Sequence, residues 1–338
     1  MSHTAVVILN YNGEKFLRQF LPSVVQYSAD ATIIVADNGS TDHSVELLEQ
    51  EFPQVQIIRL DNNYGYCGGY NRALTQVKAD YYVLLNSDIQ VTPGWLQPMI
   101  SLLDKNADIG AVQPKILSFN TPHLFEYAGA AGGFIDALGY PYCRGRVFDH
   151  VEEDLGQYDD EIPIFWATGA CLMVRSSVYH RFQGLDEDFF AHMEEIDLCW
   201  KMHRDNQLVY YCGKSTIYHV GAGTLGYNNP RKTYLNFRNG LALLIKHWDS
   251  TELIWKLPLR LMLDGVAAMM YLLKNQPDNF HAVIRAHHVI MYRTFGQVLK
   301  KRKTLLSKYP TYNRAAIYNG SILVWHFIRR HKNAPRIK

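Results

Sequence analysis

The sequence predicts an α/β protein in which a sheet flanked by helices is followed by a mainly helical, basic C-terminal region. Three observations carry this. Short apolar, β-branched runs alternate with helically spaced ones over the first hundred residues, the pattern of a mostly parallel sheet covered on both faces. Two of the runs end at acids, Asp37 and Asp88, and strand carboxyl ends in such chains open on one crevice where ligands bind. Charge is split: residues 1–230 hold 14 Lys+Arg and 28 Asp+Glu, a net −14, while residues 231–338 hold 20 and 4, a net +16.

The elements follow in order. TAVVILN (4–10) is a buried strand, Asn12-Gly13 a turn, and Glu14–Tyr27 a helix by the spacing of Phe16, Leu17, Phe20, Leu21 and Val24. ATIIVAD (31–37) is the second strand, after which Ser40 or Thr41 is placed to cap a helix running to Gln50. VQIIRL (55–60) is a third strand, leading through a Gly-rich loop to a helix near Tyr70–Val77. DYYVLLN (80–86) is the fourth, Thr92-Pro93 opens a helix with Pro at its tolerated first position, and Ile109–Leu117 is a fifth strand.

Residues 118–160 break this rhythm with Gly129, Gly132, Gly133, Gly139 and Gly145, several aromatics and an acidic run from Glu152 to Glu161. Such a stretch is expected to be a lid or binding loop, or else disordered. Ile164–Arg175 reads as a strand pair or bent strand, and Glu194–Asn206 as a helix with acids in its first turn, where the helix dipole favours them. Residues 231–338 read as helical, punctuated by Pro258, Pro277 and Pro310. The most apolar stretch, Leu257–Leu273, contains Arg260 and Asp264. It falls short of the roughly 20 apolar residues a membrane span needs, so it suits a core or amphipathic helix better.

A chain of 338 residues, 48% hydrophobic, has room for one large domain or two. The boundary is expected near 248, giving an α/β domain at 1–248 and a basic helical region at 249–338. Cys67, Cys143, Cys171, Cys199 and Cys212 are odd in number and lack C-x-x-C spacing. That argues against a disulfide framework or zinc cluster and suits a reducing cytosol. The N-terminus enters a strand at once, without the basic and apolar regions of a secretory signal. The basic half suits an anionic partner: nucleic acid, a membrane surface or a phosphate-bearing substrate. Nucleic acid is disfavoured, because no base-stacking or zinc motif accompanies the charge.

Each motif has a plain reading beside a functional one. Asp37-Asn38-Gly39-Ser40-Thr41-Asp42 suits a helix cap, and equally a carboxylate accepting hydrogen bonds from a nucleobase or ribose. The loop Asn63–Asn71 (NYGYCGGYN) precedes a helix and suits close approach to a phosphate. It lacks the G-x-G-x-x-G of a dinucleotide-binding turn and reads equally as a simple loop. Asn86-Ser87-Asp88 ends an apolar strand, as a turn does and as an oxygen ligand for Mg²⁺ or Mn²⁺ would. Glu194, Glu195 and Asp197 stand among Phe189, Phe190, Met193, Leu198 and Trp200, surroundings that raise a carboxyl pKa and suit a general base. His219, in YHVGAG, is a structural residue or a metal ligand.

Taken together and in order, VVILNYNG, VVADNGSTD, NNYGYCGGYN, LLNSDI, WATGACLMVR, FAHMEEIDLCW and YHVGAG resemble successive motifs of glycosyltransferase family 2. The resemblance covers residues 4–247 and is closest to the branch of bacterial surface-polysaccharide rhamnosyltransferases. It implies a GT-A type nucleotide-binding sheet and inverting transfer from a nucleoside diphosphate sugar to an acceptor hydroxyl. Donor binding falls to Asp37, Asn63, Gly65, Asn71, Asn86 and Asp88. A divalent cation, Mg²⁺ or Mn²⁺, falls to Asp88 and His219, and the base to Glu195, with Glu194 and Asp197 not cleanly ranked against it. Two departures stand out. The family's D-x-D motif is Asn86-Ser87-Asp88, without its first carboxylate, and Glu195 stands where Asp is commoner.

Trp166 and the 118–160 segment are expected to shape an acceptor pocket. The acceptor is expected to be a saccharide or lipid-linked saccharide, with the chain cytoplasmic and peripheral on the inner face of an anionic membrane; a solvated helical bundle is the plain alternative for the tail. Two rivals from other classes remain: a nucleotidyltransferase making sugar nucleotides, and a non-catalytic sugar-nucleotide or polysaccharide-binding subunit.

Overall fold

The computed structural model describes residues 2–221 and 229–335. These form two compact units, the first comprising 1–190, 194–221 and 313–338, the second 191–193 and 222–312.

The first unit opens with β1 (Thr4–Asn10), α1 (Glu14–Tyr27), β2 (Ala31–Asp37), α2 (Ser44–Glu51), β3 (Gln56–Arg59), α3 (Gly65–Leu74) and β4 (Tyr81–Leu85). Next come the short β5 (Ile89–Val91), α4 (Leu96–Lys105) and β6 (Ile109–Ser118). α3 starts five residues before the expected Tyr70, and Thr92-Pro93 forms a turn ahead of α4, with Trp95 N bonded to Thr92 O. α2 starts at Ser44 after His43, later than a cap at Ser40 or Thr41 would place it, and Asp42 accepts from Ser44 N and Ser44 Oγ ahead of it.

Residues 119–160 are not a structureless lid. They build β7 (Gly133–Asp136), β8 (Pro141–Cys143), β9 (Arg146–Val147) and β10 (His150–Val151), the body of a second, small sheet. Its acidic run is anchored to basic side chains: the buried Lys115 ammonium holds Asp154 and Asp159, and Arg144 forks onto both oxygens of Asp160. Gly133 lies flat against Trp166, where a Cβ would approach the indole ring to 2.2 Å, and Trp166 Nε1 donates to Phe134 O. Trp166 therefore braces this sheet.

The large sheet is completed by β11 (Glu161–Ile164), β12 (Cys171–Arg175) and, after α5 (Ser176–Arg181) and α6 (Glu194–Arg204), β13 (Leu208–His219). The strand order is β11-β13-β6-β12-β4-β1-β2-β3, with β5 on β13. The sheet is parallel from β3 to β4. β12 then runs antiparallel to both β4 and β6, which departs from the mostly parallel arrangement expected. β11 and β12 are separate strands, not a pair.

Both faces are covered. Val6, Ile8, Val35, Val83 and Leu85 pack under α1, α2 and α4 in one core, while the alternate residues Val7, Ile34, Tyr82 and Leu84 are equally buried on the face carrying Tyr70, Tyr179 and Trp200, as the two-residue period of a strand requires.

The second unit contains α7 (Pro230–His247), α8 (Ser250–Leu273), α9 (Pro277–His288) and α10 (Phe295–Lys308). α7 packs on α9 and α10, and α8 on α9. Arg302 ties the α7 end through Ile245 O and Trp248 O, and Arg260 pairs with Asp264 at 2.8 Å. The chain then returns to the first unit, where β14 (Ile317–Tyr318) pairs parallel with β7 and Ile322 N donates to Asp136 Oδ2. This grouping differs from the boundary expected at 248: α7 belongs with the helices, and 313–338 with the sheets. No described helix is long and apolar enough to cross a membrane.

Candidate active site

Strand register gathers the site. Asn10 stands opposite Asp37, and Ile8 opposite Leu85, so β1, β2 and β4 end at one sheet edge. The buried Asp37 accepts from Asn10 Nδ2 at 3.2 Å and from Ser40 N at 3.0 Å. The turn reading of this motif is real, and it holds a carboxylate at the edge. Next to it, Asn38 donates to Asn63 Oδ1 and Gly65 O and accepts from Tyr64 N, lashing the β2 end to the α3 start. Gly65 has φ +68° and a Cβ there would meet the Phe190 ring at 2.7 Å, so both backbone conformation and close approach demand glycine.

Asn71 is a different case. Its Oδ1 accepts from Tyr179 OH and Leu185 N, and its Nδ2 donates to Leu185 O and Glu187 Oε1. The carboxamide is saturated within the fold, which replaces the donor contact expected of it by a structural pin.

Asn86 follows β4, half-buried, with its N–H on Ala170 O. Asp88 is buried, and its Oδ1 lies 3.2 Å from His219 Nε2 at the end of β13. On the other side of the imidazole, Nδ1 lies 3.3 Å from Glu126 Oε2, near enough for charge attraction but outside hydrogen-bond geometry. Burial pulls the His219 pKa down, but Asp88 and Glu126 outweigh it and raise it to about 10. His219 is thus a buried cation between two carboxylates. Its loop runs on into Ala222 and Gly223, outside the described residues.

The pair would suit a divalent cation only once the imidazole has given up the proton that Asp88 and Glu126 favour, because a protonated ring offers no lone pair to a metal. Two ligands at right angles on an ion with bonds of about 2.1 Å lie about 3.0 Å apart, close to the observed O–N spacing. No group of three or more His, Cys, Asp or Glu that could hold a metal occurs among the described residues, so diphosphate oxygens and water would fill most of the shell.

The acids of α6 separate by environment. Asp197 is fully buried and its Oδ2 lies 2.7 Å from Lys201 Nζ one turn on, so it serves an ion pair. Glu194 is buried, and burial first, then Glu195 and Asp197, hold its carboxyl well above the usual range, which disfavours it as the base. Glu195 is half-buried, less so than either neighbouring acid. Of the three candidates, Asp197 and Glu194 are therefore corrected to supporting positions. Tyr66, at the start of α3, donates to Gly169 O at 2.6 Å and feels both glutamates, which places the α3 start beside them.

The turn into α6 is strained: Phe190, His192 and Met193 all have positive φ, between 65° and 74°, rare for residues with a side chain. Asn239 of α7 donates to both Ala191 O and His192 O at 2.8 and 2.7 Å. Sequence reasoning missed Asn239 and Glu126. A polar residue inside an apolar helix and a lone acid in a glycine-rich stretch were the available signals.

Comparison with known proteins agrees with this geometry. The model described as "Glycosyl transferase family 2" matches residues 5–181. An N-acetylglucosaminyl-diphospho-decaprenol L-rhamnosyltransferase of Mycobacterium tuberculosis is 26% identical over 291 residues, spanning 78% of this chain and 90% of that protein. The low-salt glycan biosynthesis hexosyltransferase Agl10 of Haloferax volcanii is 23% identical over 70% of this chain and 73% of its own. Among solved structures, GalNAc-T7 with UDP, GalNAc and Mn²⁺ has a TM-score of 0.59 at 13% identity, covering 92% of this chain and 58% of that one. The Pyrobaculum calidifontis mannosyltransferase with GDP-Man and Mn²⁺ has a TM-score of 0.52 at 12% identity, covering 90% and 85%. With its family motifs gathered at one edge of a GT-A sheet, the chain belongs to glycosyl transferase family 2 and is a glycosyltransferase.

Proposed function

We propose that this chain transfers a hexosyl or deoxyhexosyl group, with inversion, from a nucleoside diphosphate sugar to a hydroxyl of a lipid-linked saccharide in surface-glycan assembly. The observations that carry the reading are Asp37 at the end of β2, Asp88 just past β4 against His219 of β13, and Glu195 in the first turn of α6. The rhamnosyltransferase relative, named for a decaprenol-linked acceptor, supports the acceptor class.

Asp37 accepts hydrogen bonds from the nucleoside. Asn63 and Gly65 shape the loop beside the diphosphate, and Asn86 and Asp88 stand at the diphosphate end. Asp88 and His219 hold a divalent cation, which when bound supplies Lewis-acid stabilisation of charge gathering on the leaving diphosphate. Glu195 takes the acceptor proton as the hydroxyl oxygen attacks the anomeric carbon from the face opposite the leaving group. Glu194, whose carboxyl burial holds above the usual range, is the less apt of the two to carry a negative charge there. Anionic lipid beside the acceptor would suit the net +16 of residues 231–338.

A thermal-shift panel of nucleoside diphosphate sugars, with and without Mn²⁺, tests the reading. A true donor at a hundred times its Kd adds about 2.7 kcal/mol of apparent stability. Stabilisation by nucleoside triphosphates alone would favour the nucleotidyltransferase reading. Donor binding with neither transfer nor slow donor hydrolysis would favour a binding subunit.

A further inference from the structure

α8 is inside out. Its charged residues face its own bundle: Lys256 is buried against Glu252 at 2.7 Å, and Arg260 against Asp264 at 2.8 Å, with His287 of α9 on the second Asp264 oxygen. Its outward positions are apolar. Trp255, Met262, Val266, Met269 and Leu273 are 57%, 60%, 54%, 54% and 86% exposed. Their spacing of seven, four, three and four residues puts them on one stripe of an α-helix. From Ser250 to Leu273, no exposed residue of α8 carries a charge.

A helix of 24 residues is about 36 Å long, and single exposed apolar side chains need no explanation, but a continuous stripe of that length does. Polar groups turned inward and apolar groups outward are what an apolar environment selects. The four charged residues on the inner face argue against a span, and the helix is instead suited to lie in an interface.

What borders the stripe decides the occupant. α9 packs along α8 and presents Ile284, Arg285 and His288 outward, followed by Tyr292 and Arg293. Lys274 closes the α8 end. Among the exposed charged residues of 250–299, Lys274, Arg285 and Arg293 oppose Asp278. An apolar stripe that carries Trp255 and ends at Lys274, on a unit whose exposed charges over 250–299 are three cations to one acid, is complementary to an anionic lipid surface.

We propose that the exposed face of α8 is a membrane-docking surface that seats in the headgroup region of an anionic bilayer, with Lys274 at its end on lipid phosphate. This goes beyond the acceptor proposed above and is read without it. It also differs from what the charge pattern alone suggested. The basic runs 300–303 and 329–332 fall in different compact units, whereas the stripe and Lys274 belong to one.

The test is flotation of the full chain with vesicles of phosphatidylcholine alone or of equimolar phosphatidylcholine and phosphatidylglycerol. The unmodified chain should float with anionic vesicles, less so at high salt, and brominated lipid should quench tryptophan emission, an effect lost in Trp255→Phe. The triple variant Met262→Gln, Val266→Gln, Met269→Gln changes exposed side chains only, so folding is preserved and checked by its melting curve. It should lose at least tenfold in vesicle affinity while donor binding stays unchanged. Equal flotation of variant and unmodified chain would overturn the proposal. So would an unmodified chain that ignores vesicles yet sediments as a dimer that the triple variant dissolves, which would assign the stripe to a second copy. Failure of the donor panel with lipid binding intact would count against the proposed reaction and leave this surface standing.

Discussion

Glu194→Gln and Glu195→Gln should part company, although the two residues are adjacent. Glu194 is buried with its carboxyl pushed well above the usual range by burial, then by Glu195 and Asp197. A protonated carboxyl and a carboxamide have the same shape and charge, so Glu194→Gln should leave transfer near normal at neutral pH. Its effect should appear in stability. A raised folded-state pKa means the native state keeps a proton that the unfolded chain releases. Native stability therefore falls as pH rises above about 4.5, by up to about 1.4 kcal/mol per pH unit, until the folded-state pKa is passed. Removing the group removes that loss, so Glu194→Gln should melt no higher than the unmodified chain near pH 4.5 and progressively higher toward pH 8. Glu195→Gln removes the proposed proton acceptor and should slow transfer about 10²–10⁴-fold, which is about 2.7–5.4 kcal/mol in the barrier, with donor affinity retained. Melting curves across pH and single-turnover transfer separate the two. Equal loss of transfer in both variants, or a Glu194→Gln melting gain that ignores pH, would refute the assignment of a neutral Glu194 behind an ionised Glu195.

Four further outcomes are expected. Asp197→Asn takes the partner at 2.7 Å from the buried Lys201, and should lower stability by about 3–5 kcal/mol, read as a fall in melting temperature. Asp88→Ala and His219→Ala should each weaken the Mn²⁺-dependent part of donor binding by calorimetry; donor affinity that is the same in EDTA as in Mn²⁺ for the unmodified chain would defeat the metal assignment. Asn239→Ala removes both donors from the left-handed turn before α6, where each strained residue stores about 1–3 kcal/mol; it should lower kcat more than donor affinity, and unchanged kcat would return Asn239 to a purely structural role. His203 is buried with Nε2 on Phe165 O and its pKa lowered to about 4 by burial. Its contribution is fully present above pH 6.5 and lost as pH falls toward 4, up to about 3.4 kcal/mol, so His203→Leu should flatten the acid limb of the stability profile.

Much of the sheet was legible because its strands are buried on both faces and read as unbroken apolar runs: β1, β2 and β4 begin and end within a residue of where composition put them. β12 is just as apolar, but direction leaves no mark on a strand's composition. Only its pairing with β4 shows that it runs backwards. That reversal brings Gly169 and Ala170 to the active edge, where they receive Tyr66 OH and Asn86 N. The 119–160 region was illegible for another reason. Its strands are two to four residues long, too short to show a period, and what orders them is Lys115 and Arg144 reaching acids some fifteen to forty residues away.

The acids themselves were visible, but their roles were not, because a role depends on what offsets each charge. Carboxylates gathered at a sheet edge need a counter-charge, a proton or a ligand, and the first two are met side by side here. Asp197 has the Lys201 ammonium, Glu194 keeps a proton, and Asp88 shares the His219 cation with Glu126. Glu195, half-buried, is the least buried of the three acids of α6. The missing first carboxylate of the D-x-D motif belongs to the same balance. An acid at Asn86 would add another negative charge beside Asp88, whereas with Asn86 the single imidazolium of His219 is set against Asp88 and Glu126 alone. The absence of that carboxylate is consistent with a site whose resting charge is balanced by His219.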